Sequence, residues 1–299
     1  MRIGTRGSEL ALAQAHAVAG MIGGCEVVTI TTTGDRGAGL GDKSRWVAEL
    51  EDALSAGEID LAVHSAKDLP GELAPGLELL GAPARASHED VLCGARDLDE
   101  LSPGARVGTS SIRRVAQIRA TRDDLDVVPV RGNVDTRLGK LRDPAQGLRA
   151  IVLAHAGLQR LGIESQVGGV LDARRFVPAP GQGVIALQGR ARDETARLAA
   201  MAITDEPSLA CLTAERSCAR ELGASCHTPL GAHATVAGDG RMRLRAWVGL
   251  PDGSAWAEDE LWGQAPDPAA LGREVAERLR AVGAGELLAR AQEMAGVDG

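Results

Sequence analysis

The sequence predicts an α/β protein built from doubly wound, mostly parallel sheets, followed by a smaller α+β unit. Three observations predict it. Short apolar runs alternate with amphipathic helical stretches through roughly the first two thirds of the 299 residues, the pattern of βα units that cover a parallel sheet on both faces. Two segments rich in Pro, Ala and Gly, GAPARASH (Gly81–His88) and VPAPGQG (Val177–Gly183), read as crossings between domains. After about Asp205 the periodicity changes to strands joined by tight turns.

In chain order, the expected strands of the first part are Arg2–Thr5, Glu26–Thr32, Asp60–His64, Leu77–Gly81, Val91–Gly94, Arg106–Gly108, Val127–Val130 and Arg149–Ala154, with helical stretches such as Arg45–Ala56 and Ser111–Arg122 between them. Two crossings mean that the chain leaves a first domain, builds a second and returns, with Val184–Leu187 as the returning strand. The last part reads as a meander of His233–Val236, Arg241–Gly249 and Ser254–Leu261. Its turns are Gly238-Asp239-Gly240 and Pro251-Asp252-Gly253, of the kind that closes hairpins. One final helical region, Pro268–Ala291, completes it.

Composition narrows the function. A net charge of −8 disfavours a binder of nucleic-acid backbone, and four Trp, one Phe and no Tyr leave little to stack bases on. No apolar run reaches membrane-spanning length. The chain starts directly on a strand with no signal-like segment, which predicts a cytoplasmic location. The five cysteines are odd in number and form no C-x-x-C pair, and the histidines lack chelating spacing, so neither a disulfide framework nor a metal site is expected.

The chemistry concentrates at three strand-to-helix junctions: RIGTRGSELALAQ (Arg2–Gln14), VGTSSIRRVAQIRA (Val107–Ala120) and DVVPVRGNVDTRLGKL (Asp126–Leu141). Each puts arginine, namely Arg6, Arg113, Arg114, Arg131 or Arg137, where a helix N-terminus already carries partial positive charge. That is unfavourable unless an anion sits among them. Three such junctions suggest a site that collects several phosphates or carboxylates, at the carboxyl ends of strands where α/β sheets bind ligands. A second segment, IDLAVHSAKDLP (Ile59–Pro70), ends a buried strand with His64, Ser65, Lys67 and Asp68; these are site candidates or an ordinary solvated loop. Cys226 sits in GASCHTPLGAH, a loop of small residues. It reads either as an accessible nucleophile or attachment point or as a small buried residue.

In order and spacing these segments resemble the porphobilinogen deaminase (hydroxymethylbilane synthase) family. The matching stretches are IGTRGSELALAQ, TTTGD (Thr31–Asp35), ELEDAL (Glu49–Leu54), GEIDLAVHSAKDLP, VGTSSIRR, RGNVDTRL, AHAGLQRLG (Ala154–Gly162), PAPGQG and the cysteine loop. The resemblance implies two domains like type II periplasmic binding proteins and a small C-terminal α+β domain. The implied division is 1–84 with 182–203, then 85–181, then 204–299. It implies a transferase that condenses four porphobilinogen molecules, each losing ammonia, onto a dipyrromethane cofactor and releases hydroxymethylbilane with water.

By the same match Cys226 holds the cofactor through a thioether and Asp68 is the catalytic carboxylate. Lys67, Ser65, Ser111, Arg113, Arg114 and Arg137 contact the cofactor. Arg6, Ser8, Arg131, Arg137 and Arg160 contact substrate carboxylates, and Lys43 and Trp46 belong to a lid. A monomer is implied, whose partner is the small-molecule substrate rather than nucleic acid or membrane. The chain departs from the family in a shorter lid loop, Arg36–Trp46, with seven residues between Asp35 and Lys43. It also has Ala224-Ser225 where two glycines usually precede the cysteine, and Gln188 in place of a glutamate. The arginines alone would equally serve a diverged paralogue, or a non-catalytic binder of a polycarboxylate in the same hinged cleft; such a binder would need neither Asp68 nor Cys226.

Overall fold

The computed structural model describes residues 1–30, 44–224, 228–264 and 267–297. Its elements run β1 (Arg2–Thr5), α1 (Glu9–Ile22), β2 (Glu26–Thr29), α2 (Ser44–Ser55), β3 (Leu61–Ser65) and β4 (Leu77–Gly81), then, past the first crossing, β5 (Asp90–Cys93), β6 (Arg106–Gly108), α3 (Ile112–Thr121), β7 (Asp126–Val128), α4 (Val134–Arg142), β8 (Leu148–Ala154), α5 (His155–Arg160) and β9 (Gly169–Val170). Past the second crossing come β10 (Ile185–Arg190), α6 (Glu194–Ala202), α7 (Glu206–Glu221), β11 (Leu230–Val236), β12 (Arg241–Gly249), β13 (Trp256–Gln264), α8 (Pro268–Ala281) and α9 (Ala284–Val297).

The described strands form three sheets. The first has order β2-β1-β3-β10-β4 and the second β7-β6-β8-β5-β9. Their designs match. In each, three neighbouring strands are parallel and the fourth strand runs antiparallel to both its neighbours. That fourth strand, β10 in one sheet and β5 in the other, is the first strand laid down after a crossing. Each lobe is thus completed by chain arriving from the other. Separate apolar cores form around Ile3, Leu61 and Leu187 in the first lobe and Leu92, Val107 and Ile118 in the second.

The third sheet is the antiparallel meander β11-β12-β13, with α7, α8 and α9 packed against it through Cys218, Met242, Leu244, Leu271 and Val275. The sequence reading needs correction here on two elements. The final helical region is two helices, broken at Gly283, whose φ of 94° is left-handed backbone that glycine adopts without steric cost. Helix α7 precedes the meander where no helix was expected. It starts at a capping Asp205 that accepts from Ser208 N, with proline in the first turn, and buries Ser, Cys and Ala more than large aliphatics, which blurs its apolar stripe. The segment 31–43, which includes the lid residue Lys43, and Cys226 lie outside the described residues. The side chain of Trp46 does too.

The two crossings lie against each other. Ala86 N donates to Gly183 O at 3.1 Å and Arg85 Nε to Gln182 O at 2.9 Å. A Cβ on Gly183 (φ 87°) would sit 2.6 Å from Ala86 O, so only glycine permits this approach. Glu215 of α7 gathers both crossings and the third sheet. It accepts from Gly181 N at 2.6 Å, Ala234 N at 2.7 Å and Arg85 Nη1 at 2.6 Å, and it is fully buried.

Candidate active site

On the first lobe, β3 lies at the centre of the sheet and ends in a single 3-10 turn, Ala66–Asp68. Ala66 N is held by Val184 O at 3.0 Å. This turn presents the polar run of the sequence at the carboxyl end of a buried strand. His64, Ser65 and Asp68 line one cavity with Arg6, Ser8 and Gln14. Gln14, buried on α1, exchanges hydrogen bonds with Ser65 Oγ at 2.9 and 3.1 Å, and Ser8 caps α1 by accepting from Ala11 N at 3.3 Å. Sequence reasoning missed Gln14. The signal was a lone amide on the apolar face of ALAQAHAVA.

On the second lobe, Arg113 and Arg114 stand in the first turn of α3, as expected, but they point inward and are buried. Their anion is part of the protein. Asp90, the first residue of β5, accepts from Arg113 Nη1 at 2.8 Å and from Arg114 Nε and Nη2 at 3.0 and 2.7 Å. Gln182 Nε2 donates to Asp90 Oδ1 at 2.8 Å, and Gln182 Oε1 accepts from Lys67 Nζ of the first lobe at 3.3 Å. Asp90 was not foreseen as a site residue; it lies 23 residues before Arg113, and nothing in HEDVLCG marks it.

Burial alone would raise the Asp90 carboxyl, but the two guanidiniums outweigh it and hold the group well below the usual range. The cluster still holds two cations against one carboxylate. Among the described residues no acceptor reaches buried Arg113 Nε. A buried cation in excess is costly and is what a ligand carboxylate would offset.

The other predicted arginines lie around this pair. Arg137 is half-buried and donates to Gly132 O at 2.7 Å. Burial lowers its pKa, with Arg114 adding to the effect, while Asp68 opposes it from the other lobe. Arg160 at the end of α5 donates to Gly183 O in the second crossing at 2.7 Å, and burial pushes it down to about 10. Arg131 is exposed and Ser111, at the N-cap of α3, makes no side-chain capping bond. The structure thus brings Arg6, Ser8, Ser65 and Asp68 to one cavity, leaves Arg137 within the electrostatic influence of Asp68, and engages Arg113, Arg114 and Lys67 in a network around Asp90 and Gln182.

The loop that holds Cys226 is described only at its ends. Leu230 N donates to Thr228 O and Ala232 N to Pro178 O, both at 2.8 Å, so its C-terminal end is tied to the second crossing. Three of the remaining cysteines are buried. Burial pushes the Cys93 and Cys211 thiols up to about 11 and the Cys218 thiol to about 12.

Comparison with known proteins bears on this geometry. Residues 1–198 match the family model described as porphobilinogen deaminase, dipyromethane cofactor binding domain, and residues 209–281 match porphobilinogen deaminase, C-terminal domain. The chain is 42% identical to a porphobilinogen deaminase of Roseiflexus castenholzii, over 97% of this chain and 98% of that one. It is 42% identical to one of Thermus thermophilus over 96% and 98%, and 41% identical to one of Deinococcus radiodurans over 97% and 98%. Among solved structures, the methionine-binding protein MetQ aligns with a TM-score of 0.44 at 16% identity, covering 68% of this chain and 89% of that one.

Proposed function

The chain belongs to the porphobilinogen deaminase family, and from that premise we propose how its own residues divide the reaction. It is a hydroxymethylbilane synthase, a transferase that carries a dipyrromethane cofactor and acts on porphobilinogen. In our reading the first lobe comprises 1–84 and 182–203, the second 85–181 and the third domain 204–299. The protein works as a cytoplasmic monomer, with no nucleic-acid or membrane partner. Its net charge of −8 disfavours a nucleic-acid backbone partner, and no described helix is long and apolar enough to cross a membrane.

The residues fit a polycarboxylate cofactor. The Arg113–Arg114–Asp90 cluster carries one cation more than it balances, and Arg113 Nε has no acceptor among the described residues. Dipyrromethane, when bound, supplies the free pyrrole carbon at which chain growth begins. Arg113, Arg114, Arg137, Lys67, Ser65 and Ser111 hold its acetate and propionate groups, the guanidiniums through paired hydrogen bonds that a lysine cannot make. Cys226 anchors it. The thiols of Cys93, Cys211 and Cys218, kept protonated by burial, are poorly suited to that task.

Arg6, Ser8, Arg131, Arg137 and Arg160 pair with successive carboxylates of the arriving porphobilinogen and the growing chain, each serving its own stage, with Lys43 and Trp46 as lid residues. As ammonia leaves, positive charge develops on the substrate pyrrole. Asp68, fixed at the end of β3, stabilises that charge and steers the pyrrole N–H. The observation that carries this reading is the cavity at the end of β3, which brings Asp68 together with Arg6, Ser8 and Ser65 and so sets an anion for the developing cation beside a cation and hydroxyls for the substrate's acids.

The test combines intact mass with turnover. The purified protein should exceed its sequence mass by two pyrrole units, carried on the Cys226 peptide, and Cys226→Ser should lack the excess. Asp68→Ala should fold and keep the adduct if the adduct is supplied preformed, yet turn over porphobilinogen about 10²-fold or more slowly. An adduct on another cysteine, or near-normal turnover by the Asp68 variant, overturns the corresponding assignment. A non-catalytic binder would show neither adduct nor turnover.

A further inference from the structure

We propose that Gln188 is a positioning residue: it fixes the buried, neutral ring of His64 as the tautomer protonated on Nε2, through an acceptor that brings no counter-ion for a cation beside Asp68. The proposal rests on the reading of the β3 cavity as the active site.

The arrangement starts from strand register. β10 runs antiparallel to β3, with Gln188 opposite Ala62 and Ala186 opposite His64. Residues two apart share a face of a sheet, so Gln188 and His64 lie diagonally on one face, the face on which α2 packs through Leu50, Ala53 and Leu54 around Ala62. Glu51 of α2 reaches down to the same place. Its Oε1 accepts from Gln188 Nε2 at 2.7 Å and from Ala74 N at 3.2 Å. Gln188 Oε1 lies 2.9 Å from His64 Nε2. Gln188 is fully buried and His64 nearly so.

These contacts fix the protons. An ionised carboxylate only accepts hydrogen bonds, so the Gln188 amide must turn its NH₂ toward Glu51. That leaves the amide oxygen facing His64, and this oxygen also only accepts. The proton on the His64–Gln188 bond therefore belongs to Nε2, and Nδ1 of the neutral ring carries the lone pair. A single amide reads the carboxylate on one side and dictates the tautomer on the other. The tautomer of a histidine is set in this way by the bond its other nitrogen makes.

The charge on the ring matters because of what surrounds it. Among the described residues, Asp68 from the turn after β3, Arg6 from the β1–α1 junction, Arg216 from α7 and, through Gln188, Glu51 from α2 are the charged groups that bear on it. Burial, the largest influence, holds His64 at about 4; the Gln188 bond and Asp68 oppose it, and Arg6 and Arg216 reinforce it. An imidazolium here would share the cavity with Asp68 and compete with the cation that develops on the substrate. A neutral amide gives His64 an acceptor without giving it a counter-ion. A carboxylate at 188 would supply both.

The experiment uses the loaded enzyme labelled with ¹⁵N, with the His64 ring signals identified by their loss in His64→Asn. The wild type should show a bare Nδ1 and a protonated Nε2 between pH 6 and 8. In Gln188→Glu, His64 should titrate about one to three pH units higher, the effect of a nearby opposite charge. The acid limb of the kcat–pH profile should move up by the same amount, with kcat at pH 8 and KM little changed. Gln188→Leu, which offers Nε2 no acceptor, should show both tautomers. A wild-type ring protonated on Nδ1 overturns the proposal, and so does a Gln188→Glu enzyme whose His64 titrates higher while its rate profile stays in place. If Gln188→Glu does not fold, the wild-type and Gln188→Leu ring signals still decide the tautomer. The ring spectrum needs no substrate, so a wild type inactive on porphobilinogen would fault the active-site reading and leave the tautomer assignment to be decided by the ring signals alone.

Discussion

Asp90 changes what the arginines mean. Read along the chain, Arg113 and Arg114 are cations at a helix N-terminus that call for an outside anion; in the folded protein they already share one, at 2.7–2.8 Å. Asp90→Asn keeps the shape and removes the charge, leaving two buried guanidiniums without a counter-ion. We expect it to lower stability to urea at pH 7 by about 3–5 kcal/mol, the cost of breaking a buried pair from one side. Because the folded-state carboxyl is held well below its ordinary value, its contribution is present in full above the unfolded value of about 3.9 and is lost as pH falls below it. The variant should lack that part of the acid slope, and an unfolding curve that coincides with wild type at pH 7 would show that the pair needs no internal anion. At this scale the sequence was legible where a residue type conflicts with its local setting, as arginine does at a helix start. It was silent where a residue suits its neighbours and acquires its role from distant chain, as Asp90, Gln182 and Glu215 do.

Among the elements, the crossings carry more than connection. His88 of the first crossing stacks on His233 of β11, with ring centroids 3.9 Å apart and planes within 19°, so the third domain touches the hinge through two imidazoles. Burial, with Arg85, His88 and Arg243 adding to it, pushes His233 down to about 2. The sign follows. Below the unfolded histidine value of about 6.5, the unfolded chain takes up a proton that the folded ring refuses, so stability declines as pH falls from there toward the folded value. Between pH 7 and 5 one such ring costs about 2 kcal/mol, and His233→Asn should reduce the wild-type loss over that interval by about that much in paired urea titrations. An undiminished slope would mean that the ring is not held neutral.

Element boundaries were readable where local signals are strong. Pro and Gly marked both crossings, and turn residues marked the meander. Helix α7 escaped because its buried stripe is small and partly polar, and the split between α8 and α9 because one glycine inside a long amphipathic run resembles tolerance rather than a break. The antiparallel direction of β10 was invisible for a different reason: direction is decided by which lobe the returning chain completes, and no local pattern records that.

For the whole molecule, the proposed division of the site between lobes would make closure a variable of catalysis. Asp68 and Lys67 belong to the first sheet's end and Arg113, Arg114 and Arg137 to the second lobe, so widening the gap moves the anion away from those cations. The lobes touch where α1 meets α5. There a Cβ on Gly157 would lie 3.7 Å from Leu10 Cδ2 of the first lobe and 4.0 Å from Val134 Cγ2 of the second, ordinary contact distances with no room for a larger group. Gly157→Ala should therefore fit and leave turnover within about twofold, since alanine also suits a helix better than glycine. Gly157→Leu should act as a wedge. Overpacking of this kind costs about 1–3 kcal/mol of stability, too little to unfold an ordinary domain, whereas a displacement of about 1 Å at a reacting centre can cost about 10²-fold in rate. The expected result is a folded protein with a larger radius of gyration by small-angle scattering and turnover lowered at least about tenfold. The loss should fall on every condensation step alike, because closure serves each of them. Arg131→Leu, which on the proposed reading removes a partner for one stage of the growing chain, should instead accumulate covalent complexes of a single length by intact mass. A leucine variant with unchanged scattering and unchanged turnover, or one that stalls at one length as the arginine variant does, would separate closure from catalysis and refute the division.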